Sequence, residues 1–312
     1  MGTPEFAVPS LTTLSRSHHE VAGVVTVPDK PRGRGQKRRP SAVKQAARQL
    51  DLPLWQPEDL SDPAFLTDLR ELHLDLMVVV AFRILPEACY SIPTHGAINL
   101  HASLLPRYRG AAPIQRALMD GESTTGVSTF FLEPTVDTGA VLLQESLEIG
   151  SNENAGSVHD RLAELGAGVV LRTVNGIAEG TLRPVPQDDT EASPAPKITK
   201  QDRLIRWEEP AETVHNRIRA LSPYPGAYTY WDEKQLIIYG GEISADAQNG
   251  GEQAPGRVVG VDEHRIQVAC GAGAYHIREL QLQGKRRMEV HDFLNGYPLR
   301  IGERFSDSPA ER

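Results

Sequence analysis

The sequence predicts an α/β protein built as a Rossmann-like, doubly wound sheet followed by a small antiparallel barrel of OB type. Three observations support this fold class. Strand-like apolar runs alternate with helical periods in the first half of the chain, and a polar, Pro-rich stretch follows. The remainder carries short strand-like runs separated by turn residues. We therefore divide the chain into a first domain (1–186), a linker (187–201) and a second domain (202–312).

The elements of the first domain follow from their periodicity. Strand-like runs occupy residues 21–27, 74–82, 96–102, 126–133 and 140–149. Helical periods occupy residues 40–51, 112–122 and 154–180, and the last period is either one long helix or two. In the second domain a helix is predicted at 210–223, and short strands at 227–231, 234–240, 256–262, 265–270 and 274–280.

The chain opens directly on a turn, GTPEF (2–6), whereas a doubly wound sheet begins with a strand before its first turn. We therefore expect the first strand to be missing from this chain, with Met1 an internal methionine of a longer product. A central position in the sheet would then be empty and would expose strand edges.

Composition excludes several classes of protein. The net charge of -8 argues against a protein that coats nucleic acid through its overall charge. No apolar run has the length of a membrane span, and no signal peptide opens the sequence. Cys89 and Cys270 lie far apart, and the histidines show no metal-ligand spacing. We expect a cytoplasmic, metal-free protein that does not bind membranes.

Asn99 and His101 are the first candidates for chemistry. They stand two residues apart in a predicted strand, so both side chains face the same way, and the strand runs into SLLPRYRG. Ligands of doubly wound sheets bind at the carboxyl ends of strands, and an amide beside an imidazole suits an oxyanion. A hydrogen-bonded polar pair is the structural alternative. Asp137, in a turn between two strands, is either an ordinary turn residue or a carboxylate that orients the histidine and accepts a proton.

These residues carry a resemblance to a known family. NLHASLLPRYRGAAPIQRAL followed by VDTG resembles the formyltransferases that use 10-formyltetrahydrofolate, and most closely those acting on methionyl-tRNA. The segments GTPEFAVPSL, LLPRYRGAAPIQRA, APKITKQDRLIRW and RIRALSPYPGAYT extend the similarity over nearly the whole chain.

The resemblance implies formyl transfer from 10-formyltetrahydrofolate to the α-amino group of initiator methionyl-tRNA, by a monomer and without a covalent enzyme intermediate. It implies that Asn99, His101 and Asp137 are catalytic. Ser103, Leu104, Leu105 and Pro106 would line the tetrahydrofolate site, with residues 81–86 forming part of the pterin wall.

A basic segment, residues 28–44, holds seven cations and one acid, a local charge of +6. It is either a solvated surface loop or an arm that becomes ordered on RNA phosphates. By the resemblance, Arg34 leads the tRNA contact. The supporting cations would be Arg32, Lys37, Arg38 and Arg39. Residues 284–288 and the pair Arg217 and Arg219 are weaker candidates for the same role.

Three other functions fit parts of the sequence. A formyltransferase acting on a glycinamide nucleotide or an amino sugar would use the same three residues but has no need of the basic segment. An RNA-binding protein with an inactive formyltransferase domain is a second alternative, but the presence of all three candidate residues, Asn99, His101 and Asp137, argues against it. A NAD-dependent dehydrogenase is disfavoured because no G-x-G-x-x-G follows a strand.

Overall fold

The computed structural model describes residues 1–32, 37–245 and 253–309, which divide into two compact units. The first unit comprises Met1–Pro113, Thr124–Glu148 and His159–Pro196. The second comprises Ile114–Ser123, Ile149–Val158 and Lys197–Arg312. The first unit therefore includes residues 187–196, two thirds of the predicted linker.

The predicted elements of the first half are present, with short additions. The strands are β1 (Val24–Val25), β2 (Lys30–Arg32), β3 (Lys37–Arg39), β4 (Leu54–Trp55), β5 (Met77–Val80), β6 (Ala97–His101), β7 (Thr124–Phe131) and β8 (Val141–Glu148). The helices are α1 (Val8–Ser15), α2 (Ala42–Gln49), α3 (Pro63–Glu71), α4 (Glu87–Tyr90), α5 (Pro113–Met119) and α6 (Ala155–Ala178). The helical period at 154–180 thus forms one continuous helix.

The main sheet of the first unit has the order β5-β6-β7-β8. β5 and β6 are parallel, while β6 pairs with β7 and β7 with β8 in antiparallel fashion. The predicted α/β class is confirmed, and the sheet is mixed rather than parallel throughout. The connection from β7 to β8 is too short for a crossover helix, so these two strands must form a hairpin.

The sheet position expected for the first strand contains Met1 and Gly2. Gly2 forms a parallel bridge with Val80, and its N–H donates to the Val25 carbonyl at 3.1 Å. The Met1 amino group donates to the Val78 carbonyl at 2.6 Å, and burial lowers the pKa of this amine to about 5. A cavity of about 580 Å³ is lined by Met1 and Gly2 together with residues of α1, β1, β5 and α6.

Packing around β6 fixes which face of the strand is available for chemistry. Ile98 and Leu100 are buried, at 0% and 3% exposure. A Cβ on Gly166 of α6 would lie 2.6 Å from the Leu100 side chain, so helix and strand are in close contact there. Burial of each such side chain contributes about 1.5–3 kcal/mol. Asn99 and His101 consequently lie on the opposite face.

The second unit is a curled antiparallel sheet. Its strands are β9 (Ala227–Trp231), β10 (Lys234–Ile243), β11 (Val258–Val261), β12 (Ile266–Ala269), β13 (Ala274–Leu282), β14 (Met288–Glu289) and β15 (Phe305–Ser306). The order is β11-β12-β13-β10-β9-β15, with β14 beside β13. The two outer edges meet, because Phe305 donates to the Gly256 carbonyl and Val258 to the Glu303 carbonyl, both at 2.8 Å. The OB-like prediction is confirmed.

The core of the second unit lies between this sheet and two helices, α7 (Ala211–Ala220) and α8 (Val290–Gly296). Trp207 is 2% exposed and donates through Nε1 to the Thr229 hydroxyl at 3.0 Å. Tyr275, Phe293 and Phe305 are also buried. Among the helices in the described ranges, none has the length and apolar composition needed to cross a membrane.

Candidate active site

Asn99 and His101 lie in the carboxyl-terminal half of β6, an inner strand of the sheet. In the ladder with β7, Asn99 lies opposite Phe130 and His101 opposite Ser128. His101 is the last residue of the strand and is 6% exposed, while Asn99 is half-buried. The described structure gives the Asn99 amide no hydrogen-bond partner, so its two N–H groups remain available as donors.

The hydrogen-bonding role of one His101 ring nitrogen is fixed. Its Nε2 lies 2.8 Å from the Tyr108 carbonyl oxygen, and a carbonyl can only accept, so Nε2 carries the hydrogen. Nδ1 then faces the Asp137 carboxylate, whose Oδ2 lies 3.7 Å away. That separation is longer than a direct hydrogen bond. The same Oδ2 accepts from the Gly110 N–H at 2.8 Å, which fixes the carboxylate.

The backbone around the ring is held in an unusual conformation. Asp137 and Tyr108 have positive φ angles of 57° and 61°, and Gly110 has 127°. Residues with side chains adopt this region at a cost on the order of 1 kcal/mol each, which the surrounding contacts must offset. Gly139 is required for close approach, because a Cβ there would lie 1.8 Å from the Phe131 carbonyl oxygen.

The SLLP loop that follows β6 is anchored by a buried hydroxyl. Ser128, fully buried on β7, donates to the Ser103 carbonyl at 2.6 Å and accepts from the Leu105 N–H at 3.0 Å. Gln144 of β8 donates to the same hydroxyl and to the Leu105 carbonyl, each at 2.8 Å. The Ser103 hydroxyl donates to the Arg107 carbonyl at 2.7 Å and so stabilises the turn of this loop.

The other predicted folate-site residues lie in or near this loop. Leu105 is buried, and Leu104 and Pro106 are half-buried. In the segment 81–86, Ile84 is 79% exposed, while Arg83 donates to the carbonyl oxygens of Pro57 and Glu58 at 2.8 and 2.7 Å. This segment therefore presents an apolar side chain to solvent on a loop tied down by its arginine.

The basic segment contains two short strands. β2 and β3 form an antiparallel hairpin in which Lys30 lies opposite Arg39 and Arg32 opposite Lys37. Arg38 lies opposite Pro31. Arg34 falls outside the described residues, so its predicted role stays a prediction.

Two groups counted in that segment neutralise each other. Lys44 is 7% exposed, and its Nζ donates to Asp29 at 2.8 Å and to Gln56 at 2.6 Å. Asp29 also accepts from the Gln56 amide at 3.0 Å, and the hydrogen bonds from Lys44 first and then from Gln56 lower the pKa of the Asp29 carboxyl below its usual value. The charge of +6 therefore rests on the remaining six cations of residues 28–44.

Two weaker tRNA candidates are engaged within the second unit. Arg219 is 7% exposed, and its guanidinium donates to the Asn216 side chain at 2.8 Å and to the Glu153 carbonyl at 3.2 Å. Arg217 forms an ion pair with Glu209. Because the Arg219 guanidinium is buried on internal acceptors, the structure favours a structural role for it over a phosphate contact.

Neither cysteine provides a nucleophile at neutral pH. Burial raises the pKa of the Cys89 thiol to about 11 and that of Cys270 to about 12, so both stay protonated. In the part of the chain that the structure describes, no cluster of three or more His, Cys, Asp or Glu side chains is arranged to hold a metal ion.

Several residues that build the site were not predicted. Ser128 had a detectable signal, a polar side chain inside the apolar run GVSTFFLE. Tyr108 contributes a backbone carbonyl and Gly110 a backbone N–H, and hydrogen bonds of backbone groups leave no side-chain signal in the sequence. Gln187, whose amide contacts the Asp137 carbonyl at 2.9 Å, lies in the predicted linker.

Comparison with known proteins identifies the class. The formyl transferase family model matches residues 1–174, and the model for the formyl transferase C-terminal domain matches residues 197–298. The chain therefore belongs to the formyl transferase family.

Curated relatives narrow the comparison within that family. The methionyl-tRNA formyltransferase of Moorella thermoacetica is 46% identical over 97% of both chains. That of Geobacter metallireducens is 45% identical over 97% of this chain and 96% of its own.

Solved structures share the fold at low identity. An N-formyltransferase from Helicobacter canadensis, in complex with folinic acid and dTDP-3-aminofucose, superposes with a TM-score of 0.65 at 17% identity, covering 92% of this chain and 97% of its own. HypX from Aquifex aeolicus, in complex with tetrahydrofolic acid, superposes with a TM-score of 0.61 at 18% identity. The match covers 85% of this chain and 46% of the HypX chain.

Proposed function

We propose that this chain transfers the formyl group of 10-formyltetrahydrofolate to the α-amino group of initiator methionyl-tRNA, which supplies formylated methionine for translation initiation. The observation that carries the proposal is the convergence of Asn99, His101 and Asp137 at the carboxyl end of β6, beside the SLLP loop. The near-full-length similarity to methionyl-tRNA formyltransferases supports the choice of acceptor.

The reaction forms one carbon–nitrogen bond and breaks another. The neutral α-amine of methionine attacks the formyl carbon, and the carbonyl oxygen becomes an oxyanion. The C–N10 bond of the folate then breaks, the amine loses one proton and N10 gains one. No bond to the protein forms, in keeping with thiols held protonated and a Ser103 hydroxyl committed to the Arg107 carbonyl.

The three side chains have distinct roles in this step. Asn99 donates an amide N–H to the developing oxyanion. Nε2 of His101 is committed to the Tyr108 carbonyl, so Nδ1 is the nitrogen that faces the substrate, and a proton on it stabilises the same oxygen. Asp137, 3.7 Å from Nδ1, orients the His101 ring and takes the amine proton for delivery toward N10.

The substrates are held by neighbouring segments. The folate lies along Ser103, Leu104, Leu105 and Pro106, where the buried Ser128 hydroxyl fixes the loop. The tRNA phosphates are bound by the basic hairpin, through Arg32, Lys37, Arg38 and Arg39 of β2 and β3, together with Arg34. The enzyme acts as a monomer in the cytoplasm.

The test is formyl transfer from 10-formyltetrahydrofolate to methionyl-initiator tRNA, with a glycinamide nucleotide and an amino-sugar nucleotide as competing acceptors. The variants are His101→Ala and, as a matched control, His95→Ala, which removes an exposed histidine just before β6. We expect His101→Ala to lower kcat by about 100-fold or more and the control to leave it within about 2-fold.

Formyl-methionyl-tRNA made by the wild type and the control, but not by the His101 variant, supports both the acceptor and the role of His101. Activity confined to a small amine would overturn the tRNA proposal and leave the basic hairpin without a role. Equal activity of the two variants would overturn the assignment of His101.

A further inference from the structure

Residues 185–195, here called the strap, overlap the predicted linker (187–201), but they are bound to the first unit at both ends. Val185 and Val141 exchange two backbone hydrogen bonds of 2.8 Å each. At the other end, Arg109 donates to the Ser193 carbonyl at 2.9 Å, and Ala195 donates to the Arg109 carbonyl at 2.6 Å. The strap therefore lies against the loop that carries Tyr108, Arg109 and Gly110.

Gln187 lies within the strap and uses its whole amide. Its Nε2 donates to the carbonyl oxygens of Asp137 and Gly139, at 2.9 and 2.8 Å. Its Oε1 accepts from Nε and Nη2 of Arg109, at 3.0 and 2.8 Å. Carbonyls only accept and guanidinium only donates, so the amide has one possible orientation. Both donors and both acceptor positions are occupied.

The two segments joined by Gln187 are those that define the His101–Asp137 geometry. One is the 137–139 turn, which carries the carboxylate. The other contains Arg109, whose neighbours supply the Tyr108 carbonyl to Nε2 and the Gly110 N–H to Oδ2. Tyr108 and Asp137 both have positive φ, a conformation that the backbone does not favour by itself. An amide bonded to both segments stabilises it.

We propose that Gln187 is a positioning residue for formyl transfer, holding Asp137 and the Tyr108 carbonyl at the distances that direct Nδ1 of His101 toward the substrate. This inference rests on the proposed catalytic roles of His101 and Asp137. Gln187 acts through these groups, and Arg109 is its partner on the opposite segment. The exposed ion pair between Arg109 and Asp189, at 2.8 Å, is secondary because Asp189 is 82% exposed.

The experiment compares Gln187→Ala, Gln187→Glu and the control Gln49→Ala, which removes an exposed glutamine of α2. Glutamate keeps the acceptor for Arg109 but cannot donate to the Asp137 and Gly139 carbonyls. We expect both Gln187 variants to lower kcat by about 10–100-fold while KM for the folate changes less than about 3-fold. The control stays within about 2-fold of the wild type.

A second readout separates this inference from the proposed function. The ring resonances of His101, measured by NMR in the substrate-free chain, should shift in both Gln187 variants and not in the control. If the wild type proves inactive on methionyl-tRNA, the proposed function fails, and the NMR result alone then decides whether Gln187 positions the ring. Folded Gln187 variants with unchanged His101 resonances and unchanged kcat would overturn the inference.

Discussion

The buried hydroxyl of Ser128 should contribute substantially to the free energy of unfolding and to the position of the SLLP loop. It lies at 0% exposure between β7 and the SLLP loop and takes part in three hydrogen bonds, with the Ser103 carbonyl, the Leu105 N–H and the Gln144 amide. Replacing Ser128 by Ala removes all three hydrogen bonds and leaves their partner groups without this hydroxyl. The loop proposed to bind folate would lose its attachment to the sheet.

The magnitude follows from those three bonds. A net contribution of about 0.5–1.5 kcal/mol per hydrogen bond gives a total of about 1.5–4.5 kcal/mol. Gln144 retains its bond to the Leu105 carbonyl, which places the expected loss in the lower half of that range. We therefore expect the free energy of unfolding to fall by about 2–3 kcal/mol and KM for 10-formyltetrahydrofolate to rise as the loop loosens.

The assay is urea unfolding of Ser128→Ala beside Ser146→Ala, with KM measured for both. Ser146 lies on β8 and is exposed, so the same chemical change there should alter stability by less than about 0.5 kcal/mol. A loss below about 0.5 kcal/mol for Ser128→Ala, with KM unchanged, would refute the view that this hydroxyl holds the loop.

Three further predictions concern stability. Gly139→Ala, which places a Cβ 1.8 Å from the Phe131 carbonyl oxygen, should cost about 2 kcal/mol or more by urea unfolding; a neutral effect would contradict the close approach. Arg116 holds the pKa of Asp202 below its usual range, so Asp202→Asn should cost about 1 kcal/mol at pH 7, and the gap should narrow as the pH falls below about 3.8. Burial lowers the pKa of His215, so the unfolded chain binds its proton first and stability falls as the pH drops below about 6.5; His215→Gln should flatten that slope in pH-dependent melting.

Elements with long, regular patterns could be predicted from the sequence, and short ones could not. The helical period at 154–180 is observed as Ala155–Ala178, because many turns of one amphipathic face leave little ambiguity. The run at 21–27 forms a strand only at Val24–Val25, where β4 supplies partners. β14 and β15, of two residues each, are too short to show a period and exist because β13 and β9 lie beside them.

In the candidate site, too, some features could be predicted from the sequence and others could not. The shared face of Asn99 and His101 follows from the two-residue period of a strand, and the structure has them both in β6. The approach of Asp137 to His101 depends on two left-handed residues and on backbone atoms of Tyr108 and Gly110. Periodicity contains no information about such groups, so the sequence indicated Asp137 as a candidate without indicating what holds it.

The strap shows why composition alone does not predict whether a polar, Pro-rich segment is ordered. Polar and Pro-rich residues are typical of a mobile linker, because they cannot bury enough apolar area to become ordered. Here the order comes from hydrogen bonds instead, since Ser193 accepts from the Tyr108 N–H at 2.9 Å and Gln187 bonds to the Asp137 carbonyl and to the Arg109 guanidinium. Two polar side chains therefore hold the strap against the segments that carry Tyr108 and Asp137. It follows that the exposed residues between them, such as Asp188 and Glu191, should tolerate substitution while Gln187 should not.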